Sequence, residues 1–171
     1  MDGTRPKIFL YTDGAASGNP GPGGYGVVLK CAGLTKELSG GFALTTNNRM
    51  ELLAVIKGLE QIRWTHADVE VYSDSSYVVK AINEGWLVSW ERKGWKKVKN
   101  PDLWQRFLAV YRLHNVSFHW LKGHAGHPEN ERCDALAVAA GAGAVAAGKV
   151  LPDDAGYLLS RTSGEDGGIF G

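Results

Sequence analysis

Between Lys7 and Phe42 the chain carries three β-forming segments, Lys7–Thr12, Gly24–Lys30 and the weaker Leu34–Phe42. The links between them are too short to hold a crossover helix. Segments so connected pair antiparallel, so the first third of the chain is committed to a meander. After it the pattern changes. Asn48–Ile62 spaces Met50, Leu53, Ile56, Leu59 and Ile62 as one apolar stripe of a helix. Asp68–Ser73 alternates like a strand, Tyr77–Ile82 reads as helix, and Asp102–Leu113 reads as a helix with Pro101 suited to its first turn. Val116–Leu121 is a further strand, and Pro128 opens a helix running to about Ala147, weakened at its far end by Gly141 and Gly143. Strands separated by helices pair parallel, so the expectation is an α/β (α+β mixed) fold. Its five-stranded mixed sheet has a three-strand antiparallel meander plus two parallel strands, flanked by helices.

The 171 residues suit one domain able to bury roughly two thirds of its unfolded surface. Residues 1–148 are assigned to it and 149–171 to a C-terminal tail, where periodicity is lost and the last residues are expected to be disordered. Within that tail Val150, Leu151, Tyr157 and Leu158 could pack a little. Cys31 and Cys133 lie far apart and form no CxxC pair, which argues against a disulfide framework. No run approaches a membrane span or a signal-peptide core. A cytoplasmic monomer without a membrane partner is expected.

Net charge is only +1, but its distribution is uneven. Trp86–Arg106 holds six basic residues against Glu91 and Asp102, together with four of the six tryptophans. Such a segment suits a polyanion. Trp90, Trp95 and Trp104 also read as the core of a small helical unit, whereas Arg92, Lys93, Lys96, Lys97 and Lys99 are better explained by phosphate contacts.

Four acids sit at the ends of elements: Asp13 after the first strand, Glu51 in a first helical turn, Asp74 after the fourth strand, and Asp134 near the start of the last long helix. Each has a structural explanation. Glu51 follows Asn48 by three residues, as in a capping box, and the aspartates suit turns or a helix N-terminus. Together they could converge on one rim, and a cluster so charged needs cations. Hard oxygen donors favour Mg²⁺ or Mn²⁺, and two such ions about 4 Å apart serve in-line phosphodiester displacement. Glycines beside Asp13 would let backbone approach a phosphate or ribose. Zinc binding by His124, His127 and Cys133 is a competing use of the later loop.

The motifs TDGAASGNPGPGGYG, TTNNRMEL, SDSSYV and KGHAGHPENERCDALA occur in this order. From about Lys7 to Ala140 the chain closely resembles bacterial type 1 ribonuclease H. The resemblance implies a ribonuclease H-like fold with a basic handle at about residues 85–100. It also implies hydrolysis of the RNA strand of RNA–DNA hybrids, leaving 5′-phosphate and 3′-hydroxyl ends. Its metal-binding carboxylates match Asp13, Glu51, Asp74 and Asp134, with Asp13 bridging two ions, and its catalytic histidine matches His124. Contacts to the RNA strand fall on Gly14, Ala16, Asn19, Asn47 and Asn48. Ser76 stands where enteric relatives carry glutamine. Contacts to the DNA strand fall on Thr46, Trp86 and Asn100. An extra residue near Gly85 and a shorter loop between Trp95 and Val98 imply a trimmed handle. The alternatives are a non-catalytic hybrid-binding module and a DNA-acting nuclease of the same fold.

Overall fold

The computed structural model describes residues 5–64, 66–122 and 126–162. Strands β1 (Lys7–Ala16), β2 (Gly21–Cys31) and β3 (Leu34–Thr45) form the antiparallel meander. Strands β4 (Asp68–Ser73) and β5 (Asn115–Trp120) extend it in parallel, giving the sheet order β3-β2-β1-β4-β5. The expected five-stranded mixed sheet is therefore present. The three meander strands run longer than propensity suggested, because ladder pairing carries residues such as Ala15 and Ala16 that have no β preference of their own.

Helix α1 (Asn47–Glu60) lies on one face of the sheet, with Met50, Leu52, Leu53, Val55, Ile56 and Leu59 buried. Its burial extends beyond the single stripe read from the sequence, since the sheet covers one side and α4 (Pro101–Tyr111) another. The helix stops at Glu60, so Ile62 packs against the core from the following loop. Helices α2 (Ser76–Asn83) and α3 (Trp86–Arg92) come between β4 and α4. Trp104 on α4 is fully buried, and rings follow one another from Trp86 through Trp90 to Trp104 and Phe107 at centroid separations of 6.4, 5.4 and 5.8 Å.

The opposite face is covered by α5 (Pro128–Ala140). Here the glycines of β2 matter. A Cβ on Gly26 would sit 2.1 Å from the Cys133 carbonyl oxygen, and one on Gly24 would sit 2.3 Å from that of Ala137. Helix backbone rests directly on strand backbone, so these glycines serve internal packing and not approach to a ligand. The same crowding explains why the last long helix does not run on to Ala147. Gly141 leaves helical geometry where a Cβ would meet Gly23 backbone at 2.5 Å, and the short α6 (Ala142–Ala146) follows.

The segment after Gly148 is docked, and more firmly than its few apolar residues suggested. The Ala43 amide donates to the Pro152 carbonyl at 2.9 Å. Asp154 is buried and accepts from Thr45 Oγ1 at 2.6 Å and from Arg49 Nε and Nη2 at 2.8 and 3.0 Å. It also caps α7 (Ala155–Thr162) by accepting from the Tyr157 amide at 3.3 Å. The other edge of the Arg49 guanidinium pairs with both oxygens of Asp102 at 2.9 and 2.8 Å. Val150 is 96% exposed and Leu151, Tyr157 and Leu158 are half-buried, so the buried Asp154–Arg49 pair is the firmest anchor of this segment. The expected disorder of the last residues lies outside the described residues.

Candidate active site

β1 and β4 run parallel in the register Thr12↔Ser73. The next residue on each is an aspartate, so Asp13 and Asp74 stand side by side where the parallel pairing ends, while β1 itself runs on to Ala16. Ligands of open α/β sheets gather at this end of parallel strands. α1 supplies the third acid. Glu51 falls just past the first turn expected for it, where the helix lies so close to β1 that a Cβ on Gly14 would come within 2.3 Å of the Met50 carbonyl carbon and 2.4 Å of the Glu51 nitrogen. Gly14 thus admits the helix, and its amide donates to Asp13 Oδ1 at 2.9 Å and Glu51 Oε1 at 2.6 Å.

One oxygen from each of Asp13, Glu51 and Asp74 lies within 4.8 Å of the others. Asp13 is pushed up to about 7, first by burial and then by the charge of Asp74, against the opposing bonds from Glu51 and Gly14. Burial, followed by the charges of Asp13 and Asp74, raises Glu51 well above the ordinary glutamate value. Asp13 and Glu51, both raised by burial and neighbouring charge, share hard oxygen donors with Asp74, and such a set fits a divalent cation of the Mg²⁺ or Mn²⁺ kind. Asp134 lines the same cavity of about 330 Å³ from α5, with Lys122 and Asn130, but stands outside the close trio. The Asn130 Oδ1 atom is buried with no hydrogen-bond partner among the described residues.

The capping-box reading of Glu51 does not hold. Thr46 is the N-cap of α1, its Oγ1 accepting from the Arg49 amide at 3.3 Å, and the Glu51 carboxylate turns instead to the Gly14 amide. The zinc reading also fails at Cys133. Its Sγ donates to the Tyr11 carbonyl at 3.2 Å, and burial pushes the thiol up to about 12, so the sulfur is a protonated group packed against the sheet. His124 lies outside the described residues.

Asn47 and Asn19 are tied into the scaffold beside the acids. Asn47 Oδ1 accepts from the Ala16 amide at 2.7 Å, and Asn19 Oδ1 accepts from the Asn47 amide at 2.8 Å. Asn48 and Ser76 are exposed, and Ser76 opens α2 two residues after Asp74, behind the N-cap Ser75. Thr46, Asn48 and Asn100 line a second, larger cavity of about 620 Å³. Asn100 is held there in left-handed backbone, donating to Tyr77 Oη at 3.2 Å and accepting from Arg49 Nη1 at 3.3 Å. Trp86 is 41% exposed at the start of α3. Arg92, Lys93, Lys96, Lys97 and Lys99 are all exposed and join none of the ion pairs of the described residues. Arg106, by contrast, pairs with Glu60 at 2.7 and 2.8 Å and belongs to the body of the fold. Sequence reasoning missed Arg49 and Asp154. A cation inside an otherwise apolar helix was the available signal for Arg49.

A mixed sheet whose parallel pairing ends in a carboxylate cluster, with an exposed cationic segment between α3 and α4 at one side, defines a metal-dependent nuclease architecture. A protein-family model described as RNase H matches residues 5–142. Ribonuclease H of Desulforamulus reducens is 60% identical over 139 residues, 78% of this chain and 87% of its own length. Ribonuclease H of Nitratidesulfovibrio vulgaris is 51% identical over 159 residues, 90% and 98% of the two chains. Among solved structures, LC9-RNase H1, described as a type 1 RNase H with the type 2 active-site motif, is 31% identical with a TM-score of 0.73, covering 84% of this chain and 75% of its own. LC11-RNase H1 in complex with RNA/DNA hybrid is 30% identical with a TM-score of 0.56, covering 81% and 99%. The chain belongs to the RNase H family, in its bacterial type 1 form. Family members are divalent-metal-dependent endoribonucleases of RNA–DNA hybrids.

Proposed function

We propose that this chain hydrolyses the RNA strand of RNA–DNA hybrids with Mg²⁺ held by Asp13, Glu51, Asp74 and Asp134, Mn²⁺ being able to substitute. The observation that carries the reading is the close trio of Asp13, Glu51 and Asp74, with Asp134 in the same cavity. When bound, the ions supply Lewis acidity for attack of water on the scissile phosphate and for departure of the 3′ oxygen. The Gly14 amide orients both the Asp13 and Glu51 carboxylates, so the donor set is preorganised by backbone. His124, two residues after Lys122, is assigned to proton movement or product release in the family's manner.

The RNA strand is assigned to Gly14, Ala16, Asn19, Asn47, Asn48 and Ser76, since the 2′-hydroxyl is both donor and acceptor and needs polar partners beside the cluster. Thr46 and Asn100 are assigned to a DNA phosphate, Trp86 to a deoxyribose, and Arg92, Lys93, Lys96, Lys97 and Lys99 to phosphates along the handle. Support comes from their exposure and from the shared cavity that Thr46 and Asn100 line. The test is incubation with labelled RNA–DNA hybrid, duplex RNA, duplex DNA and single-stranded RNA, each with Mg²⁺, Mn²⁺ or EDTA. Cleavage of hybrid RNA alone, abolished by EDTA, is expected. Cutting of duplex DNA, or no cutting of hybrid with either metal, overturns the proposal.

A further inference from the structure

The cavity lined by Thr46, Asn48 and Asn100 has a wall from α7, a helix beyond the residues 5–142 that the family model matches. Tyr157 and Arg161 stand on that wall, and Lys99 faces the cavity from the handle side. Two cations and no carboxylate therefore line a depression whose other polar groups are amides and hydroxyls. This is the composition of a phosphate site.

The placement of α7 is built into the fold. Asp154 caps the helix while buried against Arg49, and a Cβ on Gly156 would lie 2.1 Å from Asp102 Oδ2 and 2.6 Å from Arg49 Nη2. The helix start is thus pressed onto the Arg49–Asp102 pair. Arg49 is also bonded to Asn100, so one guanidinium fixes both α7 and the floor of the cavity. The Arg161 guanidinium lies 5.7 Å from the Tyr157 ring centroid, which limits its wandering. Among the described residues Arg161 has no ion pair to compete for it.

We infer that Arg161, carried by the docked C-terminal helix, is a substrate-positioning residue that holds a phosphate of the DNA strand together with Thr46 and Asn100. This rests on the proposed hybrid nuclease function. The enzyme then grips the non-cleaved strand in part from a helix that lies beyond the matched family region. Arg161 takes no part in the chemistry, so its loss weakens binding and leaves the chemical step alone.

The experiment compares the full-length protein with Arg161→Ala and Arg161→Lys. Hybrid binding is measured in EDTA across a salt series, and cleavage in Mg²⁺ at varied substrate. Arg161→Ala is expected to bind roughly fivefold more weakly at low salt and to lower the slope of log K against log salt by about 0.9. KM should rise in step, kcat and melting temperature should stay unchanged, and Arg161→Lys should recover most of the binding. Neutralising DNA-strand phosphates one at a time as methylphosphonates should expose one position that weakens the wild type but not Arg161→Ala. Unaltered slope and KM in Arg161→Ala overturn the inference, as does sensitivity that maps to the RNA strand. A loss of kcat at unchanged KM also overturns it. If the wild type does not cleave hybrid at all, the functional reading falls and this inference with it; normal wild-type cleavage with an indifferent Arg161 removes this inference alone.

Discussion

Replacing Asp13 by Asn should stabilise the metal-free protein while ending its activity, and the size of the effect follows from the site. In the fold Asp13 holds its proton up to about pH 7, whereas an ordinary aspartate releases it near 3.8. Between those values the folded state binds more protons than the unfolded chain, so stability falls as pH rises and levels off above about 7. The gap corresponds to roughly 4 kcal/mol at 1.36 kcal/mol per pH unit, an upper bound because the proton is shared with Glu51. Asn is nearly isosteric. Its Oδ1 can still accept the Gly14 amide, and its Nδ2 can donate to the Glu51 carboxylate. In EDTA at pH 8 the variant should therefore melt higher, by up to about 10 °C for a chain of this size. At pH 4, where wild-type Asp13 is protonated in the fold, the gain should vanish. A shallower decline with pH will persist in the variant, since burial and the charge of Asp74 still raise Glu51. Parallel pH profiles for the two proteins, or an equal gain at pH 4 and pH 8, would refute the electrostatic reasoning. Near-normal turnover in the variant would refute the metal assignment.

Adding Mg²⁺ at pH 8 should raise the melting temperature of the wild type, by about 2.7 kcal/mol of stability at a hundredfold excess over Kd, and should do much less for Asp13→Asn. Arg49→Ala leaves buried Asp154 without its cation and frees Asp102; chemical denaturation should register a loss of about 3–5 kcal/mol. Gly14→Ala has no space for its methyl group between β1 and α1, so both the melting temperature and kcat should drop, the latter because Asp13 and Glu51 are pushed apart. Trp86→Ala, at an exposed ring, should weaken hybrid binding in a titration with less than about 1 kcal/mol of lost stability.

The order of strands and helices was legible because period-two and helical spacing are local properties, and connection length decided the sense of each strand pair. The four acids were legible only as candidates. What joins Asp13 to Asp74 is the register of two strands fifty-odd residues apart in the chain, and periodicity says nothing about register. Glu51 illustrates the limit. Its spacing from Asn48 matches a cap, but the helix is capped two residues earlier by Thr46, which frees the carboxylate for the cluster. The glycines after Asp13 were legible as close-approach residues, and within the fold Gly14 admits α1 while Gly24 and Gly26 admit α5. The docking of the tail was hidden because it depends on a single buried carboxylate meeting Arg49, 105 positions away. An apolar pattern could not announce it.

The run of rings from Trp86 to Trp104 gives the protein an optical property. Trp86 is 41% exposed and Trp104 is fully buried, yet each lies within 6.4 Å of Trp90. At such separations excitation passes readily between indoles. A nucleic acid base or sugar that quenches Trp86 therefore also drains emission from its interior neighbours. Intrinsic fluorescence should report handle occupancy with an amplitude larger than the share of one tryptophan in six, without any label attached to the chain.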